Sequence, residues 1–344
     1  MGPSVAKAAS IANAPSGGHP RAVSDVPVQF VVGKGGVGKS TVTAALALES
    51  ASRGLRTLAV EFGGQGGLSR LFDVHSAPLG SPVVVAPRLT LLSLVGDEAL
   101  AEYLRLVVPI KRLLQAVFSS RLYSVFVAGA PGLKELMTVG KIWYEADRRM
   151  ADGTAVWDRI FVDAGASGHS LQYLRMPAAA VATFRNGLVH REAVRVQDLL
   201  TDPARTCVHV VSIPEETPVT EACGIVKDLR EKLGIPVGSA FMNRCGETPP
   251  TGAVQAVAVL QGMSVADEDD ALRRQVCEAA SAALRWHTVQ VGAIARLESV
   301  CGFSVRRIPL LSRQEFALTE VRELAALMGV PSPLGSNFRA ERAP

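Results

Sequence analysis

Gly33-Lys34-Gly35-Gly36-Val37-Gly38-Lys39-Ser40-Thr41 follows directly on the apolar run Val28–Val32 and leads into a helical pattern over Lys39–Ser52. The segment satisfies G-x-x-x-x-G-K-[ST] in the strand–loop–helix setting that gives the pattern its meaning. Its four glycines let successive backbone N–H groups turn into one concavity, and the helix behind adds its positive end. Such a loop cradles phosphates, which predicts a nucleotide site for ATP or ADP. Lys39 is placed to reach the β- and γ-phosphates, and the Ser40 hydroxyl to sit on Mg²⁺. Gly33, Gly35, Gly36, Val37, Gly38 and Thr41 complete the cradle.

On either side of this loop, strands and helices alternate. Strands are expected at Val28–Val32, Thr57–Glu61, Leu89–Leu94, Arg159–Val162, Ala180–Phe184, Cys207–Ile213, Val237–Met242 and Ser304–Ile308. Helices are expected at Lys39–Ser52, Val189–Leu200, Thr217–Leu233 and Gln314–Met328. Several strands read as unbroken apolar runs, the pattern of strands buried on both faces of a parallel sheet flanked by helices. The fold class expected is a doubly wound α/β phosphate-loop core. Helical additions are expected at about 97–150 and 267–298. The core spans residues 27–330, and residues 1–26 and 331–344 read as disordered tails.

Composition narrows the function classes. Of 344 residues 48% are hydrophobic and 20% charged, with a net charge of +4, so most of the chain must fold around a core. The charge is too weak and dispersed to predict nucleic acid as a partner. The mean hydropathy of +0.23 invites a membrane reading. Yet the longest charge-free stretch, Thr248–Ala266, is broken by Pro249, Pro250, Gly252 and Gly262, and Leu122–Leu133 is too short to span a bilayer. No secretory signal is legible, and Ala6 stands where a myristoylation motif wants a hydroxyl. Five cysteines, none in a CxxC, fit buried thiols and a reducing cytoplasm better than zinc or disulfides.

Lys34 adds a further signal, because a lysine right after the first glycine is not needed to cradle phosphate. The segment Gly33–Thr41 resembles the deviant phosphate loop of the ATPases that include the arsenite-pump ATPase ArsA, the tail-anchored-protein targeting ATPases, MinD, ParA and the nitrogenase iron protein. In that class the early lysine reaches across a nucleotide-sandwich dimer. The resemblance therefore implies a homodimer, or a heterodimer with a related ATPase, in which Lys34 neutralises charge developing between phosphates. Phe161-Val162-Asp163-Ala164-Gly165-Ala166-Ser167-Gly168-His169 is similar to the Asp-Thr-Ala-Pro-Thr-Gly-His switch of the ArsA and targeting branch, with Asp, Gly and His retained. It implies that Asp163 works beside Ser40 on Mg²⁺; a helix cap near Ser167 is the other reading. Pro214-Glu215 through Val219 and Glu221 resembles that branch's Pro-Glu-x-x-x-Val-x-Glu junction. Met242-Asn243-Arg244 resembles the element whose Asn reads adenine, for which an amide both donates and accepts; a turn-forming Asn is the alternative. Pro309 and Leu310, in Ile308-Pro309-Leu310-Leu311, match the late loop beside the base.

The chain departs from the branch after its second strand. In Val60-Glu61-Phe62-Gly63-Gly64-Gln65-Gly66-Gly67-Leu68, Gly63 falls where the water-activating Asp belongs, and Glu61 stands at the strand end. Glycine neither orients a water nor accepts its proton, so hydrolysis is expected to be slow, or to depend on Glu61 or on a residue of another subunit. The helical stretches Ala99–Ser119 and Leu133–Met150 carry apolar stripes (Leu104, Val107, Leu136, Met137, Ile142 and Trp143 among them). In targeting ATPases comparable insertions bind client helices; packing on the core is the plainer account. The proline-punctuated end Pro331–Pro344 lacks the basic amphipathic helix of MinD relatives. These features together point to an ArsA-like ATPase acting as a nucleotide-dependent dimeric switch for a protein client or partner. The competing expectation is a poorly hydrolysing regulatory or scaffold subunit of a heteromeric ATPase.

Overall fold

The unbroken apolar runs become neighbours in one sheet because each carries hydrophobic side chains on both faces of its pleat. The computed structural model describes residues 25–63, 66–74, 80–95, 132–165, 170–263, 267–311 and 316–329. Its strands are β1 (Val28–Val32), β2 (Thr57–Phe62), β3 (Val83–Ala86), β4 (Leu89–Leu94), β5 (Arg159–Asp163), β6 (Thr206–Ser212), β7 (Val237–Cys245) and β8 (Arg306–Pro309). They form an eight-stranded sheet in the order β3-β4-β2-β5-β1-β6-β7-β8. Neighbouring strands are parallel except β3, which lies antiparallel on β4. The fold is the α/β phosphate-loop class.

The helices are α1 (Lys39–Ser52), α2 (Gly67–Leu71), α3 (Leu133–Asp147), α4 (Ser170–Thr183), α5 (Leu188–Thr201), α6 (Glu216–Lys227, continued by the π-helical turn Asp228–Leu233), α7 (Ala253–Gly262), α8 (Asp267–Cys301) and α9 (Leu318–Gly329). Alternation along the strands divides the core in two. Val28, Phe30, Val32, Leu58 and Val60 pack with residues of α3, α4, α5, α6 and α8 on one face. Val31, Ala59, Phe161, Val211 and Phe241 pack with α1, α2 and α9 on the other. Covering both faces lets the central strands be apolar throughout.

Two strand expectations change. Ala180–Phe184 is not a strand: Ala180–Thr183 is the last turn of α4. Leu174, Pro177 and Ala180 are buried at three-residue spacing, a helical period, and the alanines from Ala178 to Ala180 favour helix. An apolar run of five residues does not by itself separate strand from helix. Conversely, β3 was not anticipated, although its β-branched run Val83–Val85 lies between two prolines. Thr217–Leu233 is helical from Glu216, but its last six residues wind as a π-helix. The stretch expected to be helical at 267–298 lies within the 35-residue α8. The stripe Ala99–Ser119, His169, residues 1–24 of the expected tail 1–26 and all of the expected tail 331–344 lie outside the described residues.

Parallel strands end at one edge, so Gly33, Phe62, Asp163, Ile213 and Asn243 share it. β5 lies on one side of β1 and β6 on the other. α1, which follows β1, packs on one face, and α4 and α6, which follow β5 and β6, pack on the other. Such a divergence leaves a crevice at the carboxyl ends, where open α/β sheets take ligands. Among the described residues no helix is long and apolar enough to cross a membrane.

Candidate functional site

The phosphate loop leaves β1 at Gly33, whose φ is +154°. A Cβ there would stand 2.2 Å from the Val211 carbonyl oxygen of β6, so glycine is required by close approach. Gly38, φ +93°, begins α1 in the left-handed conformation. Gly35 and Gly36 are exposed at the loop's mouth, while Val37 is buried beneath it. Lys39 is 5% exposed. Its Nζ donates to the Lys34 carbonyl oxygen at 2.9 Å, folding the side chain back across the loop. Burial lowers its pKa, and the charge of Asp163 works the other way.

Ser40, on the first turn of α1, donates its hydroxyl to Asp163 Oδ2 at 2.5 Å. Asp163 is the last residue of β5 and is 2% exposed. Among the described residues its other oxygen, Oδ1, is buried without a hydrogen-bond partner. Burial pushes the Asp163 carboxyl above its usual range, against the Ser40 hydroxyl, the Lys39 charge and the Gly165 backbone N–H. A buried, orphaned carboxylate oxygen beside a hydroxyl and a lysine is a costly arrangement in a bare protein and a suitable one for a cation. The donor set is all oxygen, as Mg²⁺ prefers.

The second strand contributes Glu61, 3% exposed and opposite Asp163 in the β2–β5 register. Its Oε1 accepts the N–H groups of Gly67 and, at 3.2 Å, Leu68, which open α2. Burial holds its carboxyl above the usual range, and those N–H groups oppose the shift. Gly63 keeps a left-handed backbone, φ +87°. Its N–H bonds the Leu94 carbonyl at 2.9 Å.

At the far side, Asn243 on β7 is 8% exposed. Its Nδ2 donates to the Val37 carbonyl at 2.8 Å, and its Oδ1 accepts the Arg244 N–H at 2.9 Å. Pro309 pairs with Cys245 across β7 and β8, and the Leu310 N–H bonds the Cys245 carbonyl at 2.8 Å. Asn243, Pro309 and Leu310 thus stand at the ends of two adjacent strands, with Asn243 against the loop. Lys34 is different: its Nζ is paired with Glu221 of α6, both side chains being partly exposed. Thr41 follows Ser40 in α1 and makes no contact that singles it out.

Some partners were not anticipated from sequence. Arg244 has φ +57°, a conformation uncommon outside glycine, and its Nη2 reaches the Gly36 carbonyl at 3.1 Å. Glu221 was legible as the last residue of a motif, but its pairing with Lys34 follows only from the fold. Gly67, whose added Cβ would lie 2.9 Å from Ser40 Oγ, carries no local signature.

A parallel sheet with this loop after its central strand defines a phosphate-loop nucleotide-binding protein of the α/β class. Comparison with known proteins narrows it. The family model of the anion-transporting ATPases matches residues 27–193. ATPase BagA of Mycobacterium tuberculosis is 32% identical over 231 residues, covering 66% of this chain and 67% of that one. The arsenical pump-driving ATPase of Acidiphilium multivorum is 27% identical over 222 residues, 60% of this chain and 37% of its own length. ATPase ASNA1 homolog 1 of Paramecium tetraurelia is 28% identical over 149 residues, 43% of each chain. The chain belongs to the ArsA-type ATPase family and is an ATPase.

Proposed function

We propose that the chain binds Mg²⁺–ATP in the crevice at Gly33–Thr41, hydrolyses it slowly, and uses the nucleotide state to govern association with a second ATPase subunit and a protein partner. The observation that carries the site is the Asp163 Oδ1, buried without a partner among the described residues, beside the Ser40 hydroxyl. The loop amides and Lys39 hold the phosphates, and Ser40 and Asp163 face the ion. When bound, Mg²⁺ neutralises charge on the β- and γ-phosphates. Lys39 gives up its bond to the Lys34 carbonyl to reach phosphate, and its buried charge is then matched by the ligand rather than by Asp163 alone. Asn243 braces the loop through Val37, and its second N–H and second lone pair remain to meet the base, with Pro309 and Leu310 alongside.

Slow turnover follows from Gly63, which offers no group to a water. The switch reading rests on Lys34. Its ammonium lies outside its own loop, bound to a surface carboxylate by the kind of exposed pair that contributes about 0–1 kcal/mol. Such a pair exchanges readily for a phosphate of a facing subunit. All five cysteines are free and buried, which suits a reducing cytoplasm.

The test is light scattering on the purified chain, alone and with a co-purifying partner, in ADP and in a non-hydrolysable ATP analogue. Assembly is expected in the analogue and lost in Lys34→Ala. An identical mass in both nucleotides, with and without the partner, contradicts the switch. Lys39→Ala is expected to weaken ATP binding at least about a hundredfold while leaving the circular dichroism spectrum unchanged, because it removes a buried charge-assisted contact to phosphate.

A further inference from the structure

Three observations meet between β2 and α2. Glu61 is buried with Oε1 turned to the Gly67 and Leu68 N–H groups, while the Ser93 hydroxyl of β4 stands 3.5 Å from Oε2. Gly67 is pressed onto the site: a Cβ there would fall 2.9 Å from Ser40 Oγ and 3.1 Å from Glu61 Oε1. Ser40 in turn donates to Asp163, the residue opposite Glu61 in the sheet. Oε1 is engaged by two backbone donors and the residue is 3% exposed, which leaves Oε2 little access to water. The carboxylate is therefore poorly placed to take a proton from solvent. It is well suited to hold backbone.

We propose that Glu61 is a positioning residue: its carboxylate seats the first turn of α2 against Ser40 and so keeps the Ser40–Asp163 pair aligned, instead of activating water. The inference rests on the reading of this crevice as the Mg²⁺–ATP site. It also accounts for the glycine at position 67, since any side chain there enters the space between Ser40 and Glu61.

The experiment measures steady-state ATPase against Mg²⁺ concentration at saturating ATP for the full chain, with ADP binding in the absence of Mg²⁺ as the control. Glu61→Ala is expected to raise the Mg²⁺ needed for half-maximal turnover roughly tenfold, the scale of losing hydrogen bonds to a charged acceptor. Glu61→Gln is expected to restore it to within about threefold, because an amide oxygen accepts the same two N–H bonds and the amide nitrogen can donate to Ser93. Gly67→Ala keeps the carboxylate but is expected to show the raised Mg²⁺ requirement, so the test stands even if Glu61→Ala does not fold. The proposal is overturned if Glu61→Gln loses turnover as completely as Glu61→Ala while the Mg²⁺ requirement stays at its wild-type value. A wild-type chain that binds no ADP strikes the nucleotide site itself, and that result is visible before any substitution is made.

Discussion

Gly38 and Gly36 share a left-handed backbone, with φ of +93° and +82°, yet their surroundings differ. A Cβ on Gly38 would lie 2.2 Å from Asn243 Nδ2, whereas one on Gly36 meets nothing within 4 Å. Gly36→Ala is therefore expected to cost about 1–2 kcal/mol, the strain of a left-handed residue alone. Gly38→Ala must also displace Asn243 from Val37, and is expected to cost at least about 1 kcal/mol more and to abolish ADP binding. Urea denaturation and a binding titration of the two variants check this ranking. The glycines and Lys39 were legible in the sequence because the chemistry of cradling phosphate fixes their spacing. The bracing amide of Asn243 was legible only as a motif, since its partner Val37 is two hundred residues away in the chain. Its engagement with the loop backbone follows from the position of β7.

The strands of the central sheet were readable because burial on both faces demands unbroken apolar runs, which few other environments tolerate. The misread element, Ala180–Phe184, carried the same composition over too short a span, and the helix before it decided the outcome. A polar cluster inside the sheet was not read at all. His209 on β6 is fully buried, its Nδ1 accepting the Ser239 N–H at 3.1 Å and its Nε2 lying 2.8 Å from Gln29 Oε1. The acceptor role of Nδ1 places the proton on Nε2. Burial depresses the His209 pKa to about 3, with the Arg306 charge adding to it. The folded pKa thus lies below the unfolded value of about 6.5, so folding favours the neutral ring. This contribution is complete above that value and is lost as pH falls from there toward 3, by at most about 1.4 kcal/mol per pH unit. The urea midpoint is expected to drop between pH 7 and pH 5, and His209→Gln to flatten that slope. An equal slope in both proteins argues that other groups set the acid sensitivity.

At the scale of the whole molecule, the sheet gathers two buried carboxylates that their protein partners only partly offset. Glu61 and Asp163 face each other across β2 and β5, and burial raises both carboxyl pKa values. Groups of this kind weaken the fold as pH rises through their folded pKa, so at neutral pH they set aside stability that the proposed cation is expected to return. Ligand that binds only the folded chain adds about 2.7 kcal/mol at a hundred times its dissociation constant. The chain's membership of an ATPase family was legible from its loop, and the order of its later motifs supported it. The proposed ion-facing role of Asp163 is a claim about three-dimensional surroundings, in particular Oδ1, buried without a partner among the described residues. The most direct measurement is the thermal unfolding midpoint with ADP alone and with ADP plus Mg²⁺, for the wild type and Asp163→Asn. The account predicts that ADP alone raises the midpoint of both proteins, and that Mg²⁺ adds a further increment, on the order of 5 °C, in the wild type only. An equal Mg²⁺ increment in Asp163→Asn would contradict it.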